Sequence, residues 1–136
     1  MSEDCLFCKI VQNEIPSKKV FENDSVLAFL DINPISEGHT IVIPKNHYPT
    51  LGKVPDKEIS ELFKAVKTVA KKIYANLKID GYNIVMNNHS AAGQMIEHAH
   101  IHIVPRTRGD GLIKLEMPKE QAEEEELEKV LKKIKS

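Results

Sequence analysis

The run His98-Ala99-His100-Ile101-His102-Ile103 constrains this chain's architecture more than any other stretch. In a β-strand successive side chains point to opposite faces, so the three imidazoles project from one side and Ala99, Ile101 and Ile103 fill the other. The apolar side reads as a face turned to a core. Neighbouring histidines in such a row lie roughly 6.7 Å apart at Cα, and the outer two about 13 Å apart. Zinc holds imidazole nitrogens at about 2.0–2.1 Å, so two adjacent members could share a metal while all three hardly could. At least one is left for other chemistry. Imidazole is a nucleophile and a proton carrier near neutral pH, which makes phosphoryl or acyl transfer the natural reaction class. The competing view is a solvated sheet face, but it sets three of the chain's 6 histidines in a row without a purpose.

A length of 136 residues suits one domain over positions 1–136 with a substantial core. The 19 basic and 20 acidic side chains leave a net charge of −1, which argues against nucleic acid as a partner but not against a small phosphorylated ligand. No apolar run approaches a membrane span, and Met1-Ser2-Glu3-Asp4 lacks a basic targeting segment, so the expectation is a cytoplasmic chain with no membrane partner. Its two cysteines then stay reduced, which favours a metal or thiol role over a disulfide.

Residues 5–53 read as short strands and turns. Val20-Phe21-Glu22 and Val26 to Leu30 flank the turn signal Asn23-Asp24-Ser25, which predicts an antiparallel pair. A loop through Asp31-Ile32-Asn33-Pro34 and Glu37-Gly38 leads into a strand over His39 to Pro44. From Pro55 to Leu77 apolar residues at 59, 62, 63, 66, 69, 70, 73 and 77 predict a long helix, with Lys64, Lys67, Lys71 and Lys72 on its solvated side. Tyr82 to Asn87 reads as a strand, joined by a polar loop from Asn88 to Gln94 to the histidine strand beside it. In the tail, Glu123 to Glu126 precede Lys129, Lys132, Lys133 and Lys135, matching the sign of a helix dipole. Leu127, Val130, Leu131 and Ile134 make this a helix that docks by an apolar stripe.

Cys5-Leu6-Phe7-Cys8 has the spacing of half a zinc site, with His39, His47, His89 or members of the histidine row available to complete it. A redox pair fits less well, because no strand precedes the motif and no helical pattern opens on it. A Cys2His2 set leaves no open position, so such a zinc would be structural. Gly93-Gln94, just before the histidines, could let a backbone N–H approach a phosphate closely.

These elements, in this order and spacing, resemble the histidine triad (HIT) proteins. The resemblance rests on Cys5-x-x-Cys8, Phe29-Leu30-Asp31-Ile32, Gly38-His39-Thr40-x-Val42-Ile43-Pro44-Lys45-x-His47, Asn87, Gly93-Gln94 and His98-x-His100-x-His102. The chain looks most like the short, zinc-containing microbial branch, over about residues 5–106, with a variable tail over 107–136. The resemblance implies an α+β fold: a five-stranded antiparallel sheet with a long central helix and a C-terminal helix, the sheet continued across a homodimer. It implies substrates of the form nucleoside-monophosphate-X, AMP or an adenylylated small molecule among the ligands, cleaved at the α-phosphorus. By position, His100 corresponds to the nucleophile, His102 to a contact on the α-phosphate oxygens, and His39 to a residue that polarises their surroundings. Asp31 corresponds to the acceptor for the ribose hydroxyls beside Ile32 in the base pocket, while Asn87, Gly93 and Gln94 line the phosphate side. Cys5, Cys8, His47 and His98 correspond to the zinc ligands, and the zinc would anchor the N-terminus behind the active strand.

Two positions depart from that pattern. Met95 stands where related hydrolases commonly carry a serine or threonine that assists the leaving group, and a thioether cannot donate that hydrogen bond. Glu97, Asn88 or a water would have to substitute, or turnover is poor. His89 has no family counterpart and reads as a solvated loop residue. The leading expectation is thus a nucleotide hydrolase or transferase. Beside it stand a nucleotide-binding module with little turnover, and a metal-dependent hydrolase using His98 and His100 as a metal pair.

Overall fold

The helical spacing between Pro55 and Leu77 becomes α2 (Asp56–Asn76) of a computed structural model that describes residues 4–112 and 114–136. Met1 to Glu3, at the start of the segment read above for targeting signals, lie outside the described residues. Leu62, Ala65, Val66, Val69, Ala70 and Ile73 pack into a core with Val26, Ala28, Val42, Ile101 and Ile103. Asp56 and Glu58 in the first turn suit the positive end of the helix dipole. The four lysines face solvent, as the periodicity requires. Phe63 does not join the core and is 43% exposed. Leu62, Val66, Val69 and Ile73 mark the centre of the stripe, and one residue on from Leu62 the helix has turned by about 100°.

The strands β1 (Lys19–Glu22), β2 (Val26–Leu30), β3 (Thr40–Pro44), β4 (Gly81–Val85) and β5 (Ile101–Arg106) form one antiparallel sheet in the order β1-β2-β3-β5-β4. The turn between β1 and β2 is closed by Asn23, whose Oδ1 accepts from the N–H groups of Ser25 at 2.9 Å and Val26 at 2.8 Å. β4 pairs with β5 as the sequence predicts and forms an edge of the sheet. Along β2 and β3 alternate residues turn to opposite faces: Val26, Ala28 and Val42 meet α2, while Leu27, Phe29, Ile41 and Ile43 meet a second cluster containing Phe7, Cys8 and Ile10.

That second cluster brings in an element the sequence reading overlooked, α1 (Leu6–Val11). Six residues are too few to display helical periodicity, and so short a helix is held by packing more than by propensity. Cys5 caps it, its Sγ accepting from the Cys8 N–H at 3.3 Å. The CxxC motif therefore does open a helix, contrary to the expectation.

Two further expectations change. Strand pairing begins only at Ile101, so His102 lies on β5 whereas His98 and His100 lie in the extended segment leading to it. The reason is local: the Ala99 N–H bonds the Tyr48 carbonyl at 2.6 Å instead of a neighbouring strand. The alternation survives, with Ala99, Ile101 and Ile103 buried, but the histidine side is covered too, because Phe7 packs on His98 and His100. The tail forms α3 (Glu124–Lys135), yet its apolar stripe docks on nothing among the described residues. No helix among them is long and apolar enough to cross a membrane.

Candidate functional site

α1, the segment after β3 and the lead-in to β5 converge on one cluster, buried except for the half-buried His47: Cys5, Cys8, His47 and His98. Cys5 Sγ lies 3.4 Å from His98 Nδ1, and Cys8 Sγ lies 3.3 Å from His47 Nδ1 and 3.6 Å from His98 Nδ1. The two Nδ1 atoms are 3.2 Å apart. Four ligands at the usual Zn–N and Zn–S lengths form a tetrahedron with edges of roughly 3.3–3.8 Å, and these separations match it. The protonation pattern matches as well. His98 Nε2 lies 2.8 Å from the Pro44 carbonyl, so that nitrogen carries the proton and Nδ1 turns a lone pair toward the sulfurs. Burial pushes the His98 pKa down to about 4, so the ring is neutral, as a ligand must be. The donor set fits zinc.

His100 points elsewhere. Its Nδ1–H donates to the His98 carbonyl at 2.7 Å, which leaves the lone pair on Nε2. The Phe7 ring stands edge-on at 5.0 Å between centroids and fixes the imidazole from the side. The structure thus separates His98 from His100, and the pair does not form one metal site. Phe7 and the His98 carbonyl went unread in the sequence: a backbone acceptor leaves no signal there, and Phe7 was visible only as a spacer in CxxC.

His39 and Asp31 face each other where β2 ends and β3 begins, joined by the Asp31 N–H bond to the His39 carbonyl at 3.0 Å. Ile41 is the register partner of His102, so His39, two residues earlier on the same face, becomes its diagonal neighbour. His39 Nε2 lies 2.9 Å from His102 Nδ1 and 3.7 Å from Asp31 Oδ2. The Ile35 N–H donates to His39 Nδ1 at 3.1 Å. This orders the protons along the chain: His39 Nδ1 accepts, so Nε2–H donates to His102 Nδ1, and His102 keeps its proton on Nε2. Asp31, His39 and His102 stand close enough to hold an ion, but the donor set does not suit one. The His39 nitrogen that faces the others is the one that carries the proton.

Burial lowers the pKa of His39, His100 and His102. His102 falls to about 4, its burial reinforced by His100 and His39 and opposed by Asp31. His39 also falls, partly offset by Asp31, and His100 falls, partly offset by its bond to the His98 carbonyl and then by Asp31. Near pH 7 the set is neutral, which a nucleophilic imidazole requires.

The loop after β4 leaves the strand at Val85, the register partner of His102. Gly93 adopts φ 94°, ψ 12°, a left-handed conformation that suits glycine, with the Asn87 side chain beside its Cα. Gln94 is buried and fully engaged: Oε1 accepts from the His89 N–H at 2.7 Å, and Nε2 donates to the Pro49 and Ile96 carbonyls at 2.6 and 3.0 Å. Its side chain braces the loop. Asn88 Oδ1 is likewise tied to the Leu51 N–H at 2.8 Å, and Glu97 is exposed. Met95 is 93% exposed, on the side of Cys5 and His47. His89 holds φ 73°, ψ 153°, a region almost reserved for glycine. On the opposite rim, Asp31 Oδ1 accepts from the Asn33 N–H at 2.8 Å, and Ile32 is 91% exposed, free to meet a planar ring.

A family model described as the HIT domain matches residues 12–109. A HIT-like protein of Methanocaldococcus jannaschii is 47% identical over 96% of this chain and 98% of its own length. The adenosine 5'-monophosphoramidase HNT1 of Saccharomyces cerevisiae is 38% identical over 96% of this chain and 80% of its own. Among solved structures, SMU.412c from Streptococcus mutans superposes with a TM-score of 0.93 at 38% identity, covering 99% of this chain and 85% of the other. A Zn-bound histidine triad family protein from Mycobacterium smegmatis gives 0.77 at 36% identity, covering 85% and 84%.

Proposed function

The chain belongs to the HIT family, and from that premise we propose that it cleaves nucleoside-monophosphate-X compounds by attack of His100 on the α-phosphorus. The observation that carries this is the Nδ1–H bond to the His98 carbonyl, which presents the Nε2 lone pair of a neutral imidazole. Nε2 attacks phosphorus, the P–X bond breaks, and X departs with the electron pair. The nucleotidyl-histidine is cationic while Nδ1–H remains, and the His98 carbonyl accepts from that proton. Water then attacks phosphorus, the P–N bond breaks, and a nucleoside monophosphate is released with His100 restored.

His102, held as an Nε2–H donor by His39, serves the α-phosphate oxygens, where charge builds in the transition state. The Gly93 backbone and Asn87 border the same oxygens. Asp31 Oδ2 accepts from ribose, and Ile32 offers an apolar surface to a purine. Cys5, Cys8, His47 and His98 would hold a structural zinc, which supplies cross-linking of α1 to the active segment and no open coordination position. A reducing, cytoplasmic setting goes with this reading, since thiolates that hold zinc must stay reduced. The protein acts as a homodimer joined at the β4 edge, where Tyr82 and Ile84 remain 40% and 42% exposed.

The test is AMP release from adenosine 5'-phosphoramidate by the natural protein and by His100→Ala, each checked for fold. The variant should lose more than about a thousandfold in rate. Equal turnover by the two would overturn the mechanism. A second reading, a nucleotide-binding module, is favoured by Met95, which offers the leaving group no proton. Tight AMP binding without cleavage of any nucleotidyl amide, ester or anhydride would select it.

A further inference from the structure

α3 carries Leu127, Val130, Leu131 and Ile134 along one face, and they are 53%, 47%, 44% and 75% exposed. A free helix of 12 residues is marginal in water, and an amphipathic one is normally held by burying its apolar face. Nothing among the described residues of its own chain covers this face. The charges say what can. Glu124, Glu125 and Glu126 occupy the first turn, while Lys132, Lys133 and Lys135 occupy the last. A parallel neighbour of the same sequence would set acid on acid and base on base. An antiparallel neighbour sets each acidic turn beside a basic one and lays stripe on stripe, Val130 meeting Leu131 near the centre.

We infer that α3 pairs antiparallel with α3 of a second copy of this chain, clasping two protomers together. The path of the tail agrees. Lys114 and Leu115 border the cleft along β4 with Tyr82, Asn83, Ile84 and Arg108, so the chain leaves for α3 beside the exposed sheet edge. A helix of this length is only about 18 Å long. Two such stripes fall well short of the roughly 1,600 Å² of a standard interface. The clasp therefore reinforces a dimer whose main contact lies elsewhere, and in this it rests on the β4-edge reading above.

The test reads dimer dissociation by sedimentation velocity on dilution of the zinc-loaded full chain. One variant makes α3 acidic throughout (Lys132→Glu, Lys133→Glu, Lys135→Glu) and another makes it basic (Glu124→Lys, Glu125→Lys, Glu126→Lys). Each alone should dissociate at a concentration roughly tenfold higher or more, and an equimolar mixture should regain the natural affinity as a heterodimer. Circular dichroism of the mixture shows whether α3 is helical when paired, which covers a variant that frays alone. Unchanged dissociation in both variants overturns the clasp. Weakened variants that do not rescue one another also overturn it, because α3 then docks on a partner's body. Ile84→Arg separates the two ideas: loss of the dimer there with no effect of the α3 charges supports the β4 edge alone. A natural protein that stays monomeric at every concentration removes both, while AMP release still judges the catalytic reading independently.

Discussion

His98 and His39 are both buried, both neutral and both bonded to backbone, yet one turns a lone pair toward the cysteines and the other a proton toward His102. The difference is the backbone group each one meets. His98 Nε2–H donates to the Pro44 carbonyl and frees Nδ1 for the cysteines, whereas His39 Nδ1 accepts the Ile35 N–H and must keep its proton on Nε2. A single main-chain group thus selects the tautomer, and the tautomer selects the chemistry. Phe7 touches both His98 and His100, so the cysteine–histidine cluster and the His100 imidazole share a wall.

The largest expected effect comes from removing the metal cluster. Cys8→Ser or His98→Ala should abolish zinc retention and lower stability by about 3 kcal/mol or more, read as zinc stoichiometry together with a thermal melt. Full stability with no bound metal would break the comparison at its first half. Next is the donor chain. His39→Ala and His102→Ala should each reduce kcat by about 10- to 100-fold, and the double variant should lose little beyond the worse single one. Fully multiplicative losses would mean that His39 acts on something other than His102.

Acid sharpens the comparison further. The folded pKa of His102, at about 4, lies below the unfolded value near 6.5, so in acid the unfolded chain binds its proton first. This contribution is complete above about pH 6.5 and is lost as pH falls toward about 4. His39 and His100, also lowered, act with the same sign. Melting temperature at saturating zinc should therefore fall across that window, and less steeply in His102→Gln. The smallest effect belongs to His89, which lies outside both clusters. Its glycine-like backbone makes His89→Gly stabilising by about 1 kcal/mol in denaturant unfolding. A loss of stability would show that the imidazole holds the loop.

How much of this was legible depends on the range over which each signal acts. The stripe of α2 and the pairing of β4 with β5 were readable because periodicity and chain proximity are local. Asp31, His39 and the histidine run were visible as motifs, and the HIT resemblance placed Cys5, Cys8, His47 and His98 together. α1 was not readable, since a helix of 6 residues capped by a cysteine shows no period. Nor was the late start of the β5 ladder, which depends on where the Tyr48 carbonyl reaches Ala99.

The sequence by itself determined the two-faced alternation at the histidines, the long helix that backs the sheet, and the supply of ligands and nucleophiles. These follow from side-chain chemistry and from backbone periods of two and 3.6 residues. Tertiary structure alone decided which nitrogen of each histidine is free. That choice rests on the Pro44 and His98 carbonyls and the Ile35 N–H, groups every residue possesses and whose direction only the folded chain sets. It also left α3 uncovered, because an amphipathic pattern states that a face must be buried but not against which surface.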